Sequence, residues 1–174
     1  MNEALSILVE LLKQSNISLN FKIIEVGALK IQDQDEPFYE LLDYFPSTKI
    51  IGFEIEKEIC EKMNSQAKEG VKYYSHALGK DNEQRKFYIT QNPMCSSLYK
   101  PNEELIKLYN NFEVAYLKKE TEIETISLDY FVEKHEVGDV DFIKIDVQGA
   151  ELDVFKGGSK TLKNVLKIVC EVEF

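Results

Sequence analysis

Lys144, Asp146 and Glu151 fall within eight residues of one another, in the run DFIKIDVQGAEL (141–152). The first half of that run is apolar enough to be a buried strand, and the second half reads as the start of a helix. In a strand, Lys144 and Asp146 point to the same face, and burying either charge alone is costly. One reading is a lysine–aspartate pair that neutralises itself at the rim of the core. The other is that both reach a cleft at the end of the strand. Gly149 would then allow a tight turn, and Glu151 would open the next helix, where a carboxylate suits the positive end of the helix dipole. Three ionisable groups so placed are candidates for proton transfer. They do not by themselves identify a reaction.

A second group of candidates sits at other predicted strand ends. FKIIEVGA (21–28) ends in Glu25, Gly27 and Ala28, and TKIIGFEI (48–55) ends in Glu54 and Ile55. Glu54 lies 27 residues after Gly27, and a carboxylate at the end of a second strand can accept both hydroxyls of a ribose. A solvated loop glutamate is the plain alternative. Gly27 allows close backbone approach to a ligand, or it simply turns the chain. VKYYSHAL (71–78) carries Ser75, His76 and Ala77 near its end. His76 is a base, a ligand or a cleft-wall residue. The three-glycine GxGxxG cradle of dinucleotide sites is absent. Tyr130 and Lys134 have the YxxxK spacing of short-chain dehydrogenases, but without that cradle a nicotinamide enzyme is disfavoured. His135 reads as a favourable charge at a helix end or as a residue with no special role.

These residues need a scaffold that brings strand ends together. The predicted elements alternate: a helix to about Lys13, a strand at 21–28, a helix at 36–45 with Pro37 in its first turn, a strand at 48–55, a helix at 56–67 and a strand at 71–78. Extra strands follow at 85–90 and around 113–125, with a short helix at 102–109. Then come a helix at 127–135 capped by Ser127, a strand at 140–147, a helix from 149 to 162 broken near Gly157-Gly158, and a last strand at 165–174. Alternating strands and helices imply βαβ units, and continuous apolar runs fit strands covered on both faces. The expectation is an α/β domain with a doubly wound, mostly parallel sheet spanning 1–174: an N-terminal helical segment (1–20) packed on a ligand-binding core (21–174). Ligands in such sheets bind at the carboxyl ends of the strands, where strand order reverses.

Bulk composition narrows the function. A net charge of −10 argues against a general grip on nucleic acid. No apolar run approaches the ~20 residues of a membrane span, and the N-terminus lacks the basic start of a signal peptide. Cys60, Cys95 and Cys170 are odd in number and far apart, which points to reduced thiols in a cytoplasmic protein rather than zinc or disulfides. Asp146, Glu151 and Glu171 could gather a hard divalent ion, yet no spacing enforces it, and no metal is expected.

With these residues in view, the chain resembles the FkbM-type methyltransferases, which use S-adenosylmethionine. VDFIKIDVQGAELDVFKGG is similar to that family's segment around the fourth core strand, IIEVGA to its first cofactor motif, and IIGFEIEKEICEKMN to its second. SSLYKPN (96–102) and ETISLDYF (124–131) match segments seen in some members. The resemblance implies a Rossmann-like methyltransferase fold. It implies that Glu25, Gly27 and Ala28 line the methionine and ribose side of S-adenosylmethionine, that Glu54 with Ile55 holds the ribose, and that Ser75, His76 and Ala77 lie near adenine. Asp146 would face the methionine end, with Lys144 nearby. Asp146 or Glu151 would act as base, tuned by Lys144, for O-methylation of a small molecule or glycan. The first motif departs from the glycine-rich form in continuing Leu29-Lys30-Ile31. The chain ends after the fifth core strand, where similar methyltransferases add a helix and two strands. From this follows the expectation of a shortened form, pairing with a second copy through the exposed last strand. A non-catalytic binding module is the alternative function.

Overall fold

A computed structural model describes residues 3–29 and 36–171. Its main sheet contains β1 (Lys22–Val26), β2 (Lys49–Phe53), β3 (Val71–Tyr74), β7 (Phe142–Ile145) and β8 (Lys167–Cys170) in the order β3-β2-β1-β7-β8. Every pairing is parallel. The chain runs outward from β1 through β2 to β3, then returns to the other side of β1 with β7 and β8. The order therefore reverses between β1 and β7, which is where this architecture opens a ligand crevice.

The continuous apolar runs are explained by two cores, one on each face. Ile24, Val26, Phe53, Ile143 and Ile145 pack beneath α5 (Leu128–Lys134) and α6 (Glu151–Gly157). On the opposite face, Ile23 and Ile50 pack against Tyr39 and Leu42, from the 3-10 turn Pro37–Glu40 and α2 (Leu41–Tyr44). Ala28 and Tyr73 pack against Cys60 of α3 (Lys57–Gln66) on that same face. Ser127 caps α5 as expected, its Oγ accepting from the Tyr130 amide at 3.3 Å.

The region read as one strand at 71–78 is two. β3 ends at Tyr74, and β4 (Ala77–Gly79) leaves the main sheet to join β5 (Glu83–Thr90) and β6 (Leu117–Ser127) in a second sheet, ordered β4-β6-β5. The predicted helix at 102–109 is a single α-turn, α4 (Glu103–Ile106). The second sheet is tied to α6 by polar contacts. Arg85 Nη1 and the Tyr99 hydroxyl both donate to Asp153 Oδ2, at 3.2 and 3.0 Å.

The helix α1 (Glu3–Gln14) has its expected amphipathic spacing and contacts α2, with Leu5, Val9 and Leu12 half-buried. None of its residues is buried, and Ile7 and Leu11 are each 55% exposed. β8 forms an edge of the main sheet with Ile168 and Val169 exposed. Among the described residues no helix is long and apolar enough to cross a membrane. The continuation Lys30-Ile31 and the last three residues of the strand expected at 165–174 lie outside the described residues.

Candidate functional site

At the carboxyl edge of the main sheet a cleft of about 420 Å³ opens between the strand ends and the second sheet, a size typical of small-ligand sites. Gly27, Glu54, Ile55, His76, Ala77 and Asp146 all line it. The sequence-predicted strand ends therefore do converge, drawn together by the reversal between β1 and β7.

Gly27 closes the contact between those two strands. Its φ is +78°, and a Cβ there would meet the Asp146 carbonyl oxygen at 1.9 Å. The Asp146 amide in turn donates to the Val26 carbonyl at 2.9 Å. Close approach at Gly27 is thus to Asp146 of the chain itself.

Glu54 is 8% exposed, on the cleft wall just past β2. Its Oε1 accepts from the Glu56 amide at 3.0 Å. Burial pushes its carboxyl above the usual glutamate range, against the lowering effect of the Glu56 and Ile55 amides. His76 is held below its ordinary value by burial and then by the nearby charge of Lys134, so it is neutral at pH 7.

Glu25 and Ala28 are on the other side of the sheet, which corrects their expected place along the cofactor. Alternation places Glu25 with Ile23, opposite Val26. Its Oε2 accepts from the Tyr39 hydroxyl at 2.7 Å, and the Tyr39 and Tyr73 hydroxyls are 2.8 Å apart. Gly52, the β2 neighbour of Glu25, makes this network fit: a Cβ there would sit 2.3 Å from the Tyr73 ring. Burial, and then the Glu25 carboxylate, push the Tyr39 phenol far above its usual range. The Ala28 side chain is buried against Cys60 and Tyr73.

Lys144 is the β7 neighbour of Glu25 and shares that face. Its ammonium lies 3.1 Å from Glu36 Oε1 and 3.5 Å from Asp146 Oδ2. Burial pulls its pKa down, but Glu36, Asp146 and Glu25 outweigh it and leave the net shift upward. Lys144 is a fixed cation behind Asp146, outside the cleft. Both readings of the pair hold in part: it neutralises itself, and Asp146 still faces the cleft.

Glu151 does open α6, but its expected place in the cleft is corrected. Its Oε1 accepts from the amides of Val147 and Gly149, at 3.2 and 3.1 Å, and its side chain is absent from the cleft wall. It holds the loop between β7 and α6 in shape. That loop carries Gln148 at φ +55°, unusual for a residue with a side chain, and Gln148 Nε2 donates to Asp146 Oδ1 at 2.8 Å. Glu151→Ala is expected to lower stability by about 1–3 kcal/mol through unsatisfied loop amides, with Glu151→Gln recovering most of it, as read by urea denaturation. Equal losses in the two variants would contradict this role.

Sequence reasoning missed Glu36, Tyr39 and Gln148. It also missed the far wall of the cleft, which is built from Phe87 and Ile89 of β5 and from the segment Asn92–Leu98. The signals for that wall were the strand expected at 85–90 and the run SSLYKPN, but that they face the strand ends is not visible in sequence. Of the two readings of His135, the structure favours the uncharged one: its ring centre lies 4.3 Å from that of Phe131 in a tilted arrangement, and burial with Lys134 and Lys72 lowers its pKa, so it is not a charged helix cap at neutral pH. Tyr130 and Lys134 form a surface contact, the ammonium 5.3 Å from the ring centre, away from the cleft. Among the described residues, no three histidine, cysteine or acidic side chains are grouped to hold a metal.

Comparison with curated proteins and with solved structures yields no match. A family model, the methyltransferase FkbM domain, matches residues 25–174, which takes in the end of the β1 motif, the far wall and the β7–α6 loop. The five-stranded parallel sheet flanked by helices is consistent with a Rossmann-like methyltransferase fold. The chain belongs to the FkbM methyltransferase domain family.

Proposed function

We propose that the protein transfers a methyl group from S-adenosylmethionine to a hydroxyl of a small molecule or glycan. The observation that carries this reading is a buried carboxylate, Glu54, set into one cleft with Gly27 and Asp146 at the reversal of strand order. The donor set suits the cofactor: Glu54 for the ribose hydroxyls, His76 and Ala77 beside the adenine, and Asp146 toward the cationic methionine end. When bound, S-adenosylmethionine supplies an electrophilic methyl group on a positively charged sulfur.

The protein's own work is chiefly alignment, which can contribute roughly 7–11 kcal/mol to a bimolecular transfer. Lys144 and Gln148 fix Asp146 from two sides, so its carboxylate is held in one orientation. Asp146 is the group that would take a proton from an acceptor hydroxyl. Neutral His76, on the same wall, is the second candidate. Glu151 is occupied by loop amides and takes no part.

Calorimetric titration with S-adenosylmethionine tests the reading. Binding is expected near neutral pH and should weaken several-fold as the pH falls from about 7.5 to about 5. A raised Glu54 pKa brings protonation of the ribose acceptor above the ordinary glutamate value of about 4.3. Glu56, His76 and Asp146 share the wall, so Glu54→Gln is the control, expected to flatten that pH dependence. Absence of binding by the folded protein would sink the proposal. Binding without methyl transfer to any acceptor would instead favour a non-catalytic module.

A further inference from the structure

Asp153, the third residue of α6, is 6% exposed, and its carboxylate turns to the second sheet. Its Oδ2 accepts from the Tyr99 hydroxyl at 3.0 Å and from Arg85 Nη1 at 3.2 Å. The Arg85 guanidinium in turn lies 5.8 Å from the centre of the Tyr99 ring. We propose that Asp153 is a positioning residue for methyl transfer: through Tyr99 and Arg85 it holds the segment 92–98 over the methionine end of the cleft, where an acceptor hydroxyl has to enter. This rests on the methyl-transfer reading above.

The placement follows from what α6 joins. The helix continues from the loop that carries Asp146 and Gln148, and Ala150 lies on the cleft wall beside them. One turn further on, Asp153 takes the hydroxyl of the residue that follows Leu98, itself part of the far wall. At the end of the helix, Gly157 is pressed so closely on the Gly79 carbonyl that a Cβ would not fit. The second sheet is thus fixed to α6 through β4 by backbone packing and through β5 and Tyr99 by Asp153. The segment 92–98 has little else of its own to hold it. It consists of the 3-10 turn Pro93–Cys95 and one antiparallel bridge from Ser97 to Tyr88, with Ser96 Oγ accepting from the Thr90 amide at 3.2 Å. Bonds to a buried carboxylate are the stronger tie. Displacement at a methyl group needs the acceptor oxygen opposite the sulfur, and a misplacement of about 1 Å can cost about 100-fold in rate. A wall tied to the helix that follows Asp146 keeps acceptor and base in one frame.

Hydrogen exchange on the whole chain, read by mass spectrometry of peptides over 92–98, tests this without a known acceptor. Saturating S-adenosylmethionine is expected to slow exchange there at least about fivefold. Adenosine, titrated to the same occupancy, is expected to leave it unchanged, because it does not reach the methionine end. A joint with only a structural role would not distinguish the two ligands. Asp153→Ala is expected to speed exchange of the free segment at least about tenfold, and Tyr99→Phe at least about threefold. Arg85 keeps Glu83 Oε1 at 3.6 Å in Asp153→Ala, and Tyr99→Phe, at a ring 49% exposed, decides the matter if Asp153→Ala does not fold. Both variants are expected to bind S-adenosylmethionine within about fivefold of the wild type by calorimetry, since the strand ends still hold it. Asp153→Asn, which keeps an oxygen for the Tyr99 hydroxyl, is expected to recover much of what Asp153→Ala loses. The proposal is overturned if S-adenosylmethionine leaves the segment unprotected or adenosine protects it equally, if Tyr99→Phe does not speed exchange, or if Asp153→Asn exchanges as fast as Asp153→Ala. It is also overturned if a folded variant loses cofactor affinity beyond that limit, which would make the segment part of the cofactor's own hold. Failure of the wild type to bind S-adenosylmethionine is a separate outcome. It strikes the methyl-transfer reading first, and the positioning role falls with it.

Discussion

Glu54→Ala is expected to weaken S-adenosylmethionine binding at least tenfold, about 1.4 kcal/mol, while leaving the fold intact. A buried carboxylate that accepts from hydroxyls contributes charge-assisted hydrogen bonds, each worth about 1.5–3 kcal/mol. The same burial makes Glu54 costly in the free protein. Its folded pKa lies above the ordinary value, so the native state holds the proton more tightly than the unfolded chain does. The stability linked to that proton is fully present below the unfolded pKa of about 4.3 and is lost as pH rises through the folded value. At neutral pH, removing the carboxylate therefore relieves a penalty. Its partial offset is the lost hydrogen bond to the Glu56 amide, which Glu54→Gln retains. The expected signature is weaker binding with an undiminished melting temperature in Glu54→Gln. A group that costs stability where it sits, and is needed for binding, is held there for function. Unchanged cofactor affinity in Glu54→Ala would remove Glu54 from the site.

The main sheet was legible because apolar runs of five to eight residues, spaced by helical segments, leave few other architectures. The same property hid the facing of individual residues. In a strand buried on both sides, polarity does not mark which face is which. Glu25 stands beside Val26 in a run where every residue after Lys22 is buried, yet alternation sends it away from the cleft to Tyr39 of the 3-10 turn Pro37–Glu40. Lys144 followed the same parity. Glu151 was legible as the opening of a helix, but its service to the Val147 and Gly149 amides depends on how tightly the preceding loop curls. VKYYSHAL has strand propensity throughout. Its division at Ser75-His76 is set by pairing: Tyr74 ends against Phe53, while Ala77 pairs with Thr125 some fifty residues later in sequence. No local pattern encodes that second partner. The apolar wall of the cleft was missed for the same reason, since Phe87 and Ile89 read as ordinary strand residues until β6 turns β5 toward the strand ends.

Gly27→Ala is expected to be among the most damaging single-methyl additions available to this chain, because it acts at the one place where β1, β7 and the cleft meet. Two penalties combine there. An alanine at φ +78° takes a left-handed conformation that costs about 1–2 kcal/mol. Its Cβ would also lie 1.9 Å from the Asp146 carbonyl oxygen, a contact that only backbone movement can relieve, at a typical overpacking cost of about 1–3 kcal/mol. The sum, about 3 kcal/mol, is a large fraction of the stability of an ordinary domain. Gly138→Ala separates the two effects. Gly138 has a similar φ of +75°, but the nearest atom to an added Cβ is the flexible end of Lys22, at 2.9 Å. It should therefore show the conformational cost with little of the steric one. Urea denaturation of both variants is expected to place Gly27→Ala at least about 1 kcal/mol below Gly138→Ala. Cofactor affinity should fall in Gly27→Ala, because parting β1 from β7 moves Asp146, and should hold in Gly138→Ala. Equal stability losses in the two would mean that β7 gives way freely at Asp146, and the rigid strand-end contact on which the cleft is built would have to be abandoned.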